Sequence, residues 1–85
     1  MNSARLLERI LRGDVRNVVF TDLVRLLHSL GFREIDGNGS HRIFARAGIA
    51  ELLNLQEERG QAKHYQVRQV ASLARGYNLK VEEAP

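Results

Sequence analysis

The segment that decides the fold is residues 30–46, which read LGFREIDGNGSHRIFAR. Its first glycine, Gly31, suits the left-handed position just past the end of a helix. Phe32 to Asp36 then alternates roughly as a strand does, and Gly37 to Ser40 read as a turn because Gly and Asn tolerate positive φ. His41 to Arg46 follows as a second strand. The segment therefore predicts the end of a helix followed by a β-hairpin.

Helices are predicted on both sides of this hairpin. The first runs from Ser3, as its N-cap, to about Arg12, and the second starts after Thr21 as its N-cap. The last runs from His64 or Tyr65 to Arg75. Apolar residues recur at helical spacing in all three. In chain order these are Leu6, Leu7, Ile10 and Leu11, then Leu23, Leu26, Leu27 and Leu30, then Val67, Val70, Ala71 and Ala74.

A third strand is predicted from Leu52 to Leu55, after a turn at Ala47-Gly48. Residues 56–63 are polar and read as an exposed loop, and residues 14–20 fit either an extended segment or a linker. The order of elements is helix, helix, three antiparallel strands and helix, which is an α+β fold. Because a three-stranded sheet is not stable with both faces wet, the helices should cover one face. The other face is then free to meet a partner.

The composition excludes several classes of protein. A chain of 85 residues predicts one domain, and the absence of cysteine excludes disulfides and cysteine-based zinc sites. Three scattered histidines do not suggest a metal cage. The chain has no run of about 18 apolar residues and no apolar signal segment, so no membrane partner is expected and the expected location is cytoplasmic.

Positive charge is concentrated in the second half of the chain. Residues 1–36 nearly balance, with six arginines against five acidic residues, whereas residues 37–80 carry seven lysines and arginines against three glutamates. Arginine outnumbers lysine, and its planar guanidinium can bond two phosphate oxygens at once. The pattern fits a solvated basic face or, more specifically, a surface for a polyanionic partner.

Several motifs resemble one family of small bacterial proteins. They are Leu30-Gly31-Phe32, then Gly39-Ser40-His41 with Phe44 three residues later, then Leu53-Asn54-Leu55-Gln56 and the run from Tyr65 to Val70. In this order and spacing the chain resembles the HicA family of toxins over about residues 20–80. Any one of the motifs alone would be weak.

The resemblance implies a single domain over residues 1–85, with a fold like that of the double-stranded-RNA-binding domain. Its sheet would have three antiparallel strands with helices on one face, and residues 1–15 would form an extra N-terminal helix before the family core at residues 20–80. The resemblance also implies a messenger-RNA-cleaving toxin of a type II toxin–antitoxin system. It implies a metal-independent endoribonuclease without a cofactor, neutralised by a HicB-type antitoxin, with His41 as the catalytic residue.

The residues themselves are compatible with that chemistry. A metal-free ribonuclease needs a base for the 2′-hydroxyl proton and a donor for the leaving oxygen, and the histidine side chain suits both tasks. Gly39 lets a phosphate approach the backbone, and Ser40 can donate a hydrogen bond to it. Arg42, Arg46 or Arg68 would stabilise the added negative charge of the transition state. Gln66 and Arg68 lie near a helix N-terminus, where free N–H groups favour phosphate.

Other interpretations of these residues stay open. A single histidine at the start of a strand is commonly a surface residue, and Gly37-Asn38-Gly39 alone is more often a hairpin turn than a phosphate cradle. His64 fits either a second acid–base group or a loop residue. If Phe44 faces the core, His41 lies on the open face, whereas the opposite strand parity would point His41 inward. The alternative function is a non-catalytic double-stranded-RNA-binding module, and a third is a domain that binds an acidic protein.

Overall fold

The computed structural model describes residues 1–39 and 41–82. This part of the chain contains three helices and one antiparallel sheet of four strands in the order β1-β2-β3-β4. The elements are α1 (Ser3–Leu11), α2 (Phe20–Ser29), β1 (Arg33–Asn38), β2 (His41–Ala45), β3 (Leu53–Glu58), β4 (Gln61–Ala62) and α3 (His64–Gly76). The predicted α+β class is confirmed, and the predicted count of three strands is wrong by one.

The additional strand, β4, lies in the segment that the sequence predicts as a loop. It pairs with the end of β3 through a tight turn at Arg59 and Gly60, whose φ angles are 52° and 79°. Two positive φ angles in succession are typical of the turns that join short hairpins. The N–H of Ala62 also donates to the carbonyl of Val18 at 2.9 Å. The segment before α2 is therefore extended where it meets β4.

The helix starts differ from the predicted caps. Asn2, rather than Ser3, caps α1, since its side-chain oxygen accepts hydrogen bonds from two backbone N–H groups of the first turn at 2.8 and 3.3 Å. Helix α2 begins at Phe20, so Thr21 lies inside the first turn and is not its cap. The N–H of Phe20 donates to the carbonyl of Gly60 at 2.9 Å. A tertiary hydrogen bond therefore accompanies this start in place of a side-chain cap.

The end of α2 follows the prediction. Gly31 has a φ of +89° and donates its N–H to His28, and Phe32 donates its N–H back to the carbonyl of Leu27 at 2.9 Å. This paired arrangement is the Schellman motif, in which glycine takes the left-handed position without a steric penalty. It turns the chain directly into β1.

One face of the sheet belongs to the core and the other is open. Phe44, Leu53 and Leu55 are fully buried, and the register places them on one face of β2 and β3. His41 and Ile43 alternate with Phe44 and therefore lie on the opposite face, where none of the described strand residues is buried. Of the two strand parities that the sequence left open, the structure has the one in which Phe44 faces the core and His41 lies on the open face.

Helix α1 shares this core. It packs against both α2 and α3, and it buries Leu6 and Ile10 in the same cluster as Phe44. The guanidinium of Arg75 in α3 also donates to the carbonyl of Leu11 at 2.7 Å. Among residues 1–39 and 41–82, no helix is both long enough and apolar enough to cross a membrane.

Candidate functional site

His41 is the first residue of β2, and its side chain is exposed on the open face of the sheet. The register places it between Asn38 on β1 and Gln56 on β3. Its ring Nδ1 lies 3.5 Å from the side-chain oxygen Oδ1 of Asn54. An amide oxygen there favours the tautomer with the proton on Nδ1, which leaves Nε2 with a free lone pair. The ring is therefore set up to accept a proton on its solvent side.

Asn54 and Gln56 are site residues to which sequence reasoning gave no role. They alternate on β3 with the buried Leu53 and Leu55, so both lie on the face that carries His41. The alternation of apolar and polar residues over 53–56 indicates that Asn54 and Gln56 share one face of a strand. The partner strand and the register were needed to place the two amides beside the histidine.

The turn before His41 contains Gly39, whose φ is +65°. Glycine takes this left-handed conformation without a steric penalty. Ser40, predicted to contact RNA, lies outside the described residues. Gly37 lies on the core side instead, and a Cβ atom there would lie 2.7 Å from Oε2 of Glu34. The missing side chain of Gly37 thus makes room for an ion pair on that side.

Arg42 forms that ion pair and faces away from His41. Its Nε and Nη2 donate to the two carboxylate oxygens of Glu34 at 2.9 and 2.7 Å. Its guanidinium also lies 5.6 Å from the ring centroids of Phe20 and Phe44. The hydrogen bonds raise the pKa of Arg42 and lower the pKa of Glu34. Arg42 therefore ties β1 to β2, and the structure does not bring it beside the imidazole.

The other predicted RNA-binding arginines also lie apart from His41. Arg46 follows the end of β2, roughly 16 Å along the strand direction at about 3.3 Å per residue, and its side chain lies against Gly31. Arg68 is exposed on α3, a helix that packs on the core side of β3. Arg42, Arg46 and Arg68 thus lie away from the His41 ring. Gly39 lies in the turn that leads into His41.

Gln66 was predicted to lie where it could meet phosphate. Its side chain is instead buried, with 7% of its surface exposed. Its Oε1 accepts a hydrogen bond from the backbone N–H of Gln56 at 2.7 Å. Gln56 is the residue that faces His41 across the strand pair. Gln66 therefore fixes β3 to α3 directly behind the candidate site.

The open face carries the His41 ring, the amides of Asn54 and Gln56, and the carboxylates of Asp36 and Glu58. Among the residues described, no three His, Asp or Glu side chains are grouped so that they could hold a metal ion. The arrangement holds the His41 imidazole in an exposed position, with the amide of Asn54 at 3.5 Å and Gln56 across the strand pair. An exposed imidazole of this kind is a group that could take part in proton transfer to or from a bound substrate.

Comparisons with protein-family models, with curated proteins and with solved structures found no match to this chain.

Proposed function

We propose that this chain is a HicA-type toxin of a type II toxin–antitoxin system, a metal-independent endoribonuclease that cleaves messenger RNA. The observation that carries the proposal is the exposed His41 side chain on the open sheet face, with its Nδ1 3.5 Å from Oδ1 of Asn54. The Gly39-Ser40-His41 motif and its neighbours in sequence point to the same activity.

The proposed reaction uses the nucleophile that RNA carries. Nε2 of His41 takes the proton of a ribose 2′-hydroxyl, and the oxygen then attacks the adjacent phosphorus. A new P–O2′ bond forms, the P–O5′ bond breaks, and the leaving 5′-oxygen takes a proton from water. The products are a 2′,3′-cyclic phosphate and a 5′-hydroxyl. A positioned acid–base group of this kind contributes roughly 10²- to 10⁴-fold in rate.

We also propose that the fold is like that of the double-stranded-RNA-binding domain. The order α2, β1, β2, β3 and α3 supports this, because a helix, three antiparallel strands and a final helix follow one another. Helix α1 and the two-residue β4 are additions to that arrangement. The open face that results is the surface offered to RNA.

A HicB-type antitoxin is the proposed partner. To neutralise the toxin it would cover the open face and keep RNA from His41. Two exposed apolar side chains support such a contact: Ile35 on β1 and Leu52 just before β3 are 52% and 53% exposed. Covering these two side chains with the antitoxin would remove apolar area from water, which would stabilise the complex.

Induced expression tests the proposal in cells. The wild type should arrest growth and degrade transcripts, whereas His41→Ala should do neither. The matched control is His28→Ala, which removes another exposed histidine, on α2. That control should behave as the wild type does.

Equal toxicity of the wild type and His41→Ala would refute the catalytic assignment. A chain that binds RNA, cleaves none and is unaffected by His41→Ala would instead be the non-catalytic RNA-binding module.

A further inference from the structure

A basic groove lies beyond the end of β3. It has a volume of about 610 Å³ and lies between the segment at residues 16–17, the β3–β4 turn and the first turn of α3. The side chains that define it chemically are Arg16, Glu58, Arg59, Lys63, His64 and Tyr65. We call this surface the basic groove.

The charge of the basic groove is largely uncompensated. In the part of the chain that the structure describes, Arg16, Arg59 and Lys63 form no ion pair, whereas Arg9, Arg25 and Arg42 each have an acidic partner. One carboxylate, that of Glu58, faces three permanent cations. Helix α3 has no acidic residue in its first turn and no side-chain cap. The groove is therefore suited to negative charge.

An exposed aromatic ring lies among these cations. Tyr65 is 53% exposed, and its ring meets that of His64 edge-on with centroids 6.1 Å apart. About half of this residue's surface is open to solvent. A basic groove with an exposed aromatic ring is the combination that binds single-stranded nucleic acid, because phosphates pair with the cations and bases stack on the ring.

The groove lies beyond the end of β3, at the edge formed by the β3–β4 turn and by α3, which packs on the core side of the sheet. His41 faces Gln56, and Glu58, which lines the groove, lies two residues farther, about 7 Å along the strand. Asn54 and Gln56 lie on the face of β3 that carries His41. The carboxylates of Asp36 and Glu58 share that face of the sheet, whereas Arg42 is turned to the core side. The open face beside His41 therefore offers no arginine from β2, and the basic groove supplies cations beyond Glu58.

We infer that the basic groove binds the phosphodiester backbone of single-stranded RNA next to the bond that lies at His41. Arg16, Arg59 and Lys63 contact phosphates, and Tyr65 stacks on a base. The inference rests on the proposed function for the identity of the RNA as a substrate. The groove would hold the strand while His41 acts on it.

The test measures binding of a fluorescein-labelled single-stranded RNA of 12 nucleotides, fully 2′-O-methylated. This probe lacks the nucleophile, so binding can be read without cleavage. Arg16→Gln combined with Lys63→Gln is compared with Arg12→Gln combined with Lys80→Gln, since each pair removes two positive charges from a chain of formal charge +3. Arg12 and Lys80 do not line the basic groove.

The groove variant should bind roughly tenfold more weakly at 0.15 M salt, and its slope of log Kd against log salt should fall by about 1.4, at about 0.7 per lost phosphate contact. The control pair should bind nearly as the wild type does. Tyr65→Ala should weaken binding without changing the salt slope, because stacking releases no counterions. Tyr77→Ala, outside the groove, should have no effect on binding.

Equal weakening by both double variants would overturn the inference, since net charge alone would then explain binding. Unchanged binding in the groove variant would overturn it as well. Cleavage of unmethylated RNA separates the two proposals. If the groove variant cleaves with an unchanged KM, the groove inference fails and the proposed activity stands. If the wild type cleaves nothing but the groove variant selectively loses binding, the proposed activity fails and the groove stands.

Discussion

The hydrogen bond between Gln66 and Gln56 allows a quantitative prediction. Gln66→Leu keeps a side chain of similar size but removes the acceptor for the backbone N–H of Gln56, which lies at 2.7 Å in a partly buried position. That N–H would lose its protein partner at the strand position that faces His41. The perturbation is thus local to the back of the candidate site.

An N–H group left without an acceptor in such a place costs about 1–3 kcal/mol of folding free energy. For a domain of 60–100 residues, 1 kcal/mol shifts the Tm by roughly 4–8 °C. A loss of about 2 kcal/mol therefore predicts a fall in Tm of roughly 8–16 °C. Leucine at the buried position 66 also gains apolar burial, which offsets part of this loss, so the expected fall in Tm lies at the lower end of that range.

Urea unfolding followed by circular dichroism measures the change in free energy, and amide hydrogen exchange reads Gln56 directly. The matched control is Gln69→Leu, because Gln69 is an exposed glutamine on the same helix. The control should change stability by less than about 0.5 kcal/mol. A Gln66→Leu variant as stable as this control, with unchanged exchange at Gln56, would show that the hydrogen bond does not hold β3 in place.

Three further predictions follow from the packing and the ion pair. Glu34→Gln should lower the urea midpoint of unfolding at neutral pH, and this difference from the wild type should vanish in acid. The reason is that Arg42 lowers the pKa of Glu34 below its ordinary 4.5. The ion pair therefore stabilises the fold above the unfolded-state pKa of Glu34, and the stabilisation is lost as the pH falls through the folded-state pKa. Asn54→Ala should lower the rate of RNA cleavage roughly 2- to 12-fold with unchanged Tm, the worth of one hydrogen bond to His41; an unchanged rate would remove Asn54 from the site. Ile10→Ala should cost about 2–5 kcal/mol in urea unfolding, because Ile10 is fully buried; a cost below about 1 kcal/mol would make α1 dispensable.

The elements with strong local signals were predictable from the sequence. The apolar stripe of α2 and the glycine at its end predicted that helix, and the alternation around Phe44 predicted β2, whereas the face on which His41 lies needed the structure. Strand β4 has two residues, too few to show any period, and its pairing depends on the distant segment at Val18. The start of α2 depends on Gly60, which is likewise remote in sequence.

The candidate site was predictable in its central residue and not in its surroundings. The turn before His41 is a local signal, whereas the contacts of Asn54 and Gln66 require the register of β3 and the docking of α3. Arg42 adjoins His41 in sequence, but strand alternation sends it to the other face, where Glu34 pairs with it. Proximity along the chain was thus a poor guide to which cations share the site.

The most direct test of the central claim is the rate at which the purified chain cleaves a single-stranded RNA in the presence of EDTA. We expect products with 2′,3′-cyclic phosphate ends. The cleavage rate of His41→Ala should be lower by at least roughly 100-fold, and that of His28→Ala should be unchanged. Cleavage that requires a divalent metal, or a His41→Ala variant as active as the wild type, would contradict the claim.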